Sequence, residues 1–181
     1  MKKTILAVMA MAAAVLSATA FAAPGDESKF DETLRAGMPG AAAIGDDANF
    51  DACYGVYRLS YDAADATKAC LEKIKNFRFD DNRNFDACFT IYNQSYDAAR
   101  AADACVEKST AFQFSDNPNF EHCFDIYNMS YEAARAADVC VDKTKAFQFV
   151  NNPKFDECFA TALVRQAASD AADACVKKLG A

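Results

Sequence analysis

A 35-residue repeat that carries two cysteines constrains the fold of this chain more than any other feature. Four copies begin at Phe50, Phe85, Phe120 and Phe155. Each copy holds one cysteine near its start and a second one 17 residues later: Cys53 and Cys70, Cys88 and Cys105, Cys123 and Cys140, Cys158 and Cys175. Repeats of this length predict supersecondary units that stack on their neighbours. They span about residues 49–83, 84–118, 119–153 and 154–181.

The spacing of apolar side chains within each copy indicates α-helix. In the second copy these side chains recur at intervals of three or four residues, or sums of them, at Phe85, Phe89, Tyr92, Tyr96, Ala99 and Val106. A capping side chain stands three residues before the first phenylalanine of every copy: Asp47, Asn82, Asn117 and Asn152. The last two precede a proline, which is typical of the first position of a helix. We therefore predict an all-α fold.

Each repeat can be interpreted as one helix of about 27 residues, roughly 40 Å long, or as two short helices. Ser60, Ser95 and Ser130 fit the N-cap of a second helix, which favours two. The apolar seam nevertheless continues through this point without a glycine or a proline, and the fourth copy has no capping residue there. These features favour one long helix per repeat.

The positions of the cysteines provide a second criterion. Antiparallel neighbouring helices can be crosslinked only where two cysteines lie equally far from the connecting turn. Cys105 and Cys123 are centred on Phe114 in a polar connector, whereas Cys88 and Cys105 are centred beyond the turn expected at residues 93–95. Long helices therefore predict disulfides between repeats, with the fourth one closing a ring: Cys70–Cys88, Cys105–Cys123, Cys140–Cys158 and Cys53–Cys175. Two-helix repeats predict a disulfide inside every repeat.

The favoured architecture is thus a disulfide-stapled antiparallel four-helix bundle, and the alternative is a solenoid of α-hairpins. Each repeat is aromatic in its first half and alanine-rich in its second, so antiparallel neighbours oppose large side chains to small ones. One position of the repeat fits the apolar seam poorly, and it holds Lys68, Asp103, Asp138 and Asp173. In a bundle, a local phase slip would turn these residues to the rim, or Lys68 would pair with Asp138.

Residues 1–22 have the features of a secretory signal peptide. Lys2 and Lys3 precede an apolar run of about a dozen residues, which is shorter than the roughly 20 that a membrane span needs. The sequence Ala20-Phe21-Ala22 fits a cleavage site. Residues 23–47, which are rich in glycine, proline and small residues, are expected to form a flexible leader before a repeat domain at 48–181. We therefore expect a protein of the periplasm or the extracellular space, without a membrane span.

Charge and cysteine content narrow the range of partners. The chain has a formal net charge of −7, and loss of Lys2 and Lys3 with the signal peptide would leave −9. Acidic side chains are spread through all repeats, which argues against nucleic acid as a partner. Eight cysteines in an exported chain predict four disulfides rather than a metal site.

Candidate chemistry beyond the cysteines is sparse. His122, the only histidine, occupies the position of Ala87 in the preceding copy, which is typical of a surface residue. The run Asp80-Asp81-Asn82 lacks the glycine and the terminal glutamate of a calcium loop, so it could bind calcium only loosely. Three tyrosines of the apolar seam are expected to be packing residues: Tyr57, Tyr92 and Tyr127. No catalytic residue, cofactor or metal site is predicted.

The expected function is therefore non-enzymatic. We expect a structural scaffold, or a binding scaffold for a protein or a small molecule. The alternative is a metal or cofactor carrier that uses the interior of the bundle or the cysteines clustered at its ends.

Overall fold

The computed structural model describes residues 47–180, and within them the chain forms eight α-helices and no strand. Every repeat contributes two helices. In chain order they are α1 (Ala48–Tyr57), α2 (Ala63–Lys73), α3 (Arg83–Tyr92), α4 (Ala98–Ala111), α5 (Pro118–Asn128), α6 (Ala133–Lys143), α7 (Pro153–Leu163) and α8 (Ala168–Leu179). The prediction of an all-α protein built from helical repeats is confirmed. The predicted signal peptide, and the predicted leader except Asp47, lie outside the described residues.

The first helix of every repeat begins at the predicted cap. The side-chain oxygens of Asn82, Asn117 and Asn152 each accept a hydrogen bond from the backbone N–H of the phenylalanine three residues later. Asp47 caps α1 through the backbone N–H of Asn49. Proline occupies the first position of α5 and of α7, where a helix has no use for a backbone N–H.

The prediction of one long helix per repeat is wrong, because the chain turns in the middle of every repeat. Arg58 follows α1 with a right-handed helical backbone (φ −62°, ψ −19°). Asp62 then reverses the chain with an extended backbone (φ −68°, ψ 172°). The other three repeats use the same two conformations. Neither conformation needs a positive φ, so the absence of glycine is no evidence for a continuous helix.

All four disulfides lie inside repeats: Cys53–Cys70, Cys88–Cys105, Cys123–Cys140 and Cys158–Cys175. The predicted bonds between repeats, Cys53–Cys175 among them, are therefore wrong, and the alternative pairing is correct. The midpoint of Cys88 and Cys105 falls beside Asp97, the residue that reverses the chain in the second repeat. The two halves of the repeat on either side of Asp97 are thus of nearly equal length, because the turn extends two residues beyond the expected residues 93–95.

The hairpins form an open array instead of the predicted closed bundle. Each first helix packs against the second helix of its own repeat, and the first three also pack against the second helix of the following repeat. In space the helices therefore follow the order α2, α1, α4, α3, α6, α5, α8, α7. A solenoid of α-hairpins, the alternative architecture, describes this arrangement. Within residues 47–180 no helix has the length and apolar character to cross a bilayer.

Aromatic side chains from the connectors complete the core between repeats. The ring centroid of Phe79 lies 6.4 Å from that of Tyr57 in the first repeat and 5.0 Å from that of Phe85 in the second. Phe114 and Phe149 occupy equivalent buried positions at the next two connectors. The second helices contribute buried alanines to the same core: Ala66, Ala101, Ala102, Ala136, Ala137, Ala171 and Ala172. Aromatic first helices therefore pack against alanine-rich second helices, which lets the core fill without voids.

Candidate functional site

A tyrosine, a lysine and an aspartate meet where the first repeat joins the second. The Tyr57 hydroxyl donates a hydrogen bond to Oδ1 of Asp103 over 2.6 Å, and Lys73 Nζ lies 2.6 Å from the same oxygen. Tyr57 and Lys73 belong to the first repeat, whereas Asp103 belongs to the second. The triad thus links two repeats through a charge-assisted hydrogen bond and an ion pair.

The same triad recurs at the other two junctions between repeats. Its members are Tyr92, Lys108 and Asp138 at the second junction, and Tyr127, Lys143 and Asp173 at the third. In both, the lysine Nζ lies 2.8 Å from the carboxylate oxygen. The position that fitted the apolar seam poorly is therefore a junction position. Asp138 pairs with Lys108, and the predicted pair of Lys68 with Asp138 is wrong.

The tyrosine hydroxyls of the triads are held in the neutral form. Burial of the phenol raises the pKa of Tyr57, Tyr92 and Tyr127 far above the ordinary value of 10.0. The hydrogen bond to the aspartate and its negative charge raise the pKa further. A phenol that stays protonated is a poor general base near neutral pH. The triads therefore act in packing and in joining repeats.

A serine from each of the first three repeats caps the second helix of the following repeat. The side-chain oxygen accepts a backbone N–H over 3.0 to 3.1 Å in three pairs: Ser60 with Ala99, Ser95 with Ala134, and Ser130 with Ser169. These serines were expected to cap their own repeats, which is wrong. Glu132 and Ala167, at the N-caps of α6 and α8, make no capping bond. The preceding repeat thus supplies the side-chain cap of these helices.

An asparagine at the start of each of the first three repeats holds the connector that follows. The Nδ2 of Asn84 donates to two carbonyl oxygens, those of Ser109 and Phe112, each over 2.8 Å. Its Oδ1 accepts from the backbone N–H groups of the next connector residues. Asn49 and Asn119 hold the other two connectors in the same way. These bonds satisfy connector backbone groups that would otherwise be buried without partners.

The serine caps place the turns of the hairpins along one edge of the array. Each capping bond joins the turn of one repeat to the second residue after the turn of the next repeat. The four turns, residues 58–62, 93–97, 128–132 and 163–167, therefore follow one another in space. We call this surface the turn edge. The connectors lie at the other ends of the same helices.

The turn edge carries most of the exposed large apolar side chains in residues 47–180. There are six such side chains: Leu59, Tyr61, Leu71, Met129, Leu163 and Val164. All of them except Leu71 belong to the turn edge. Leu59, Met129 and Val164 are 63%, 60% and 82% exposed. Single exposed apolar residues are ordinary, but their concentration along one edge is typical of an interaction surface.

Two arginine–tyrosine pairs stand beside these apolar side chains. The guanidinium carbon of Arg100 lies 4.0 Å from the ring centroid of Tyr96, and that of Arg135 lies 4.1 Å from the ring centroid of Tyr131. Stacking orders the long arginine side chains in advance. Tyrosine, arginine and methionine are enriched at protein–protein interfaces. The composition of the turn edge thus resembles that of a protein-binding surface.

Comparison with family models, curated proteins and solved structures found no match. The function of this chain is therefore inferred from its junctions and its turn edge. The sequence analysis missed both features. A signal for the junctions was present, because the tyrosine, serine and asparagine recur in the first three copies and the aspartate in the last three.

The other residues that the sequence singled out do not converge on a site. His122 Nε2 lies 3.7 Å from Oδ1 of Asp156 on the surface. Asp80 forms a two-pronged ion pair with Arg78. Within the described part of the chain, no group of three or more His, Cys, Asp or Glu side chains is placed to hold a metal ion. All eight cysteines lie in this part and form disulfides, so the carrier alternative loses both its thiolate ligands and its closed interior.

A shallow depression of about 690 Å³ lies at the first connector. Its lining includes Asp47, Asn49, Lys75, Phe77 and Arg78. The depression is open and largely polar, whereas small-molecule sites are typically enclosed and mostly apolar. This depression therefore lacks the usual features of a small-molecule site.

Proposed function

We propose that this protein is a non-enzymatic binding scaffold of the periplasm or the extracellular space, and that it binds a protein through the turn edge. The observation that supports this proposal is the concentration of exposed apolar side chains on the first, third and fourth turns. The disulfide-linked hairpins behind these turns keep them in a fixed arrangement. A surface that is ordered before binding loses less conformational entropy when the partner arrives.

Two features support the compartment. Four disulfides are typical of proteins that fold in an oxidising environment and are rare in the cytoplasm. The first 22 residues have the charge and apolar pattern of a signal peptide. Export would be tested by cell fractionation and by the mass of the mature chain, which is expected to begin at Ala23. A cytoplasmic protein that retains Met1 or free thiols would contradict this part of the proposal.

The binding surface can be tested with a photo-crosslinking amino acid placed at single exposed positions in cells that make the protein. Leu59 and Met129 report on the turn edge, and Leu71 is the matched control because it is also exposed and apolar. The expected result is a discrete protein adduct from positions 59 and 129 that is absent from position 71. Substitution of Val164 by Ser is expected to weaken the adduct without changing the helix content.

Equal crosslinking from all three positions would contradict the turn edge as a specific surface. A lack of adducts from positions 59 and 129, with the protein correctly exported and oxidised, would contradict the binding role. The structural scaffold of the sequence analysis would then be the better description.

A further inference from the structure

The residues that join repeats change at the two ends of the array. The aspartate of the triad is replaced by Lys68 in the first of the four repeats. In the fourth repeat, Ala162 replaces the triad tyrosine and Arg165 replaces the capping serine. Within residues 47–180, each change therefore falls on the side of the repeat that none of the other repeats covers.

The uncovered sides are visible in the burial of equivalent positions. Ala99 and Ala134 are 1% and 2% exposed beneath the preceding repeat, whereas Ala64, at the same position of the first repeat, is exposed. At the other end, Thr161 is exposed where Ile126 of the third repeat is buried. The two ends thus present the surfaces that an internal junction would bury.

A second copy of this chain is the natural candidate to cover these ends, because every internal junction joins one repeat to an almost identical one. If the first repeat of one copy stacked on the last repeat of another, Lys68 would occupy the place of the triad aspartate. It would face Lys178, which stands at the position of the triad lysines. Two ammonium groups would then replace an ion pair, and no phenol would be present to donate a hydrogen bond.

We propose that the ends of the array are built to reject a second copy of this chain, so that the protein stays a single four-repeat unit. Head-to-tail contacts that do not close into a ring produce fibres, and a repeat with matching ends carries this hazard. Two of the replacements at the ends, Lys68 and Arg165, are cations in a protein of net charge −7. Because stacking would bring Lys68 against Lys178, like charges oppose the wrong partner at this pair.

The test uses two full-length variants that each restore one half of a junction. The first carries Lys68→Asp, which restores the triad aspartate on the second helix of its first repeat. The other carries Thr161→Ile, Ala162→Tyr and Arg165→Ser, which restore the residues of an internal junction on the first helix and the turn of its last repeat. Each variant keeps the native residues at its other end, so it cannot polymerise alone. Helix content and the absence of free thiols are checked in both before they are mixed.

Sedimentation of an equal mixture is expected to show a one-to-one dimer, while each variant alone and the wild-type protein sediment as monomers. Replacing Lys68→Asp by Lys68→Ala in the mixture removes the repulsion but restores no ion pair. This control is expected to bind about tenfold more weakly, because a charged hydrogen bond is lost. A mixture that stays monomeric, or a wild-type protein that associates end to end, would overturn the proposal.

Discussion

The side-chain oxygen of Ser95 accepts a hydrogen bond from the backbone N–H of Ala134 over 3.1 Å, so the second repeat caps a helix of the third. Because Glu132 makes no capping bond, this is the side-chain cap that α6 has. The second helix of a repeat is therefore stabilised by the repeat before it. Folding of one hairpin is coupled to the presence of its predecessor.

Substitution Ser95→Ala is expected to lower the free energy of unfolding by about 1 kcal/mol, the usual cost of losing an N-cap. The loss of stability is expected to appear in the repeat after the one that carries the substitution. Amide hydrogen exchange should accelerate at the start of α6 in the third repeat and much less in the second repeat, where the substitution lies. Gln94→Ala, in the same turn but exposed, is the control. Faster exchange confined to the second repeat would contradict capping across the junction.

The triad at the second junction predicts an energetic coupling between Tyr92 and Asp138. In a double-mutant cycle with Tyr92→Phe and Asp138→Ala, the coupling free energy is expected to be about 1 to 2 kcal/mol, because a hydrogen bond to a charged group is lost. The control cycle combines Tyr92→Phe with Asp173→Ala, whose partners lie at different junctions. These two substitutions should be additive. Chemical unfolding measures both, and equal coupling in the two cycles would rule out the pairwise contact.

The neutral tyrosines predict that stability falls at alkaline pH. In the unfolded chain a tyrosine loses its proton near pH 10, whereas burial raises the pKa of Tyr57, Tyr92 and Tyr127 well above this in the folded protein. The unfolded state then holds fewer protons than the folded one, so the stabilisation is complete below pH 10 and is lost as the pH rises above it.

With three such groups, the slope above pH 10 is expected to approach about 4 kcal/mol per pH unit. Tyr92→Phe should reduce that slope by about a third, even though it also lowers stability at neutral pH. Denaturant titrations from pH 9 upward, without added thiol, measure the slope. A slope that Tyr92→Phe leaves unchanged would show that this phenol is not the titrating group.

The position of a disulfide in the array predicts how far the effect of its removal extends. Replacing Cys88 and Cys105 by serine opens an internal loop and is expected to cost about 3 kcal/mol. Because the second repeat is packed on both sides, the loss should lower the midpoint of the whole array. Replacing Cys158 and Cys175 should instead loosen the fourth repeat and leave the first three protected from hydrogen exchange. Uniform loss of protection in both variants would contradict this difference.

The helical repeats and the starts of their first helices could be predicted because they depend on local sequence. The spacing of Phe85, Phe89 and Tyr92 and the caps Asn117 and Asn152 act within a few residues of themselves. The turn inside each repeat could not be predicted with confidence from local sequence, because no glycine or proline marks it. Asp97 reverses the chain with an ordinary extended conformation, and such a conformation leaves no glycine or proline as a mark.

The junctions could not be predicted in the same way, because each joins residues about 40 positions apart. The partner of Tyr57 is Asp103, and that of Ser60 is Ala99. With a turn that ends at residue 95, the spacing of the cysteines favours bonds between neighbouring repeats and leaves the aspartates without a partner. The turn edge could not be predicted either, because the exposure of Leu59 and Met129 depends on where the chain turns.

The disulfides inside repeats have a mechanical consequence. If the array is pulled from its two ends, a disulfide such as Cys88–Cys105 carries the tension directly from one helix to the other, and the turn between them cannot lengthen. Only the stretch from one bond to the next, such as residues 70 to 88, can extend, to about 60 Å for each repeat. A reduced repeat of 35 residues could reach about 120 Å. The maximum length of the oxidised repeats under tension is therefore set by their crosslinks.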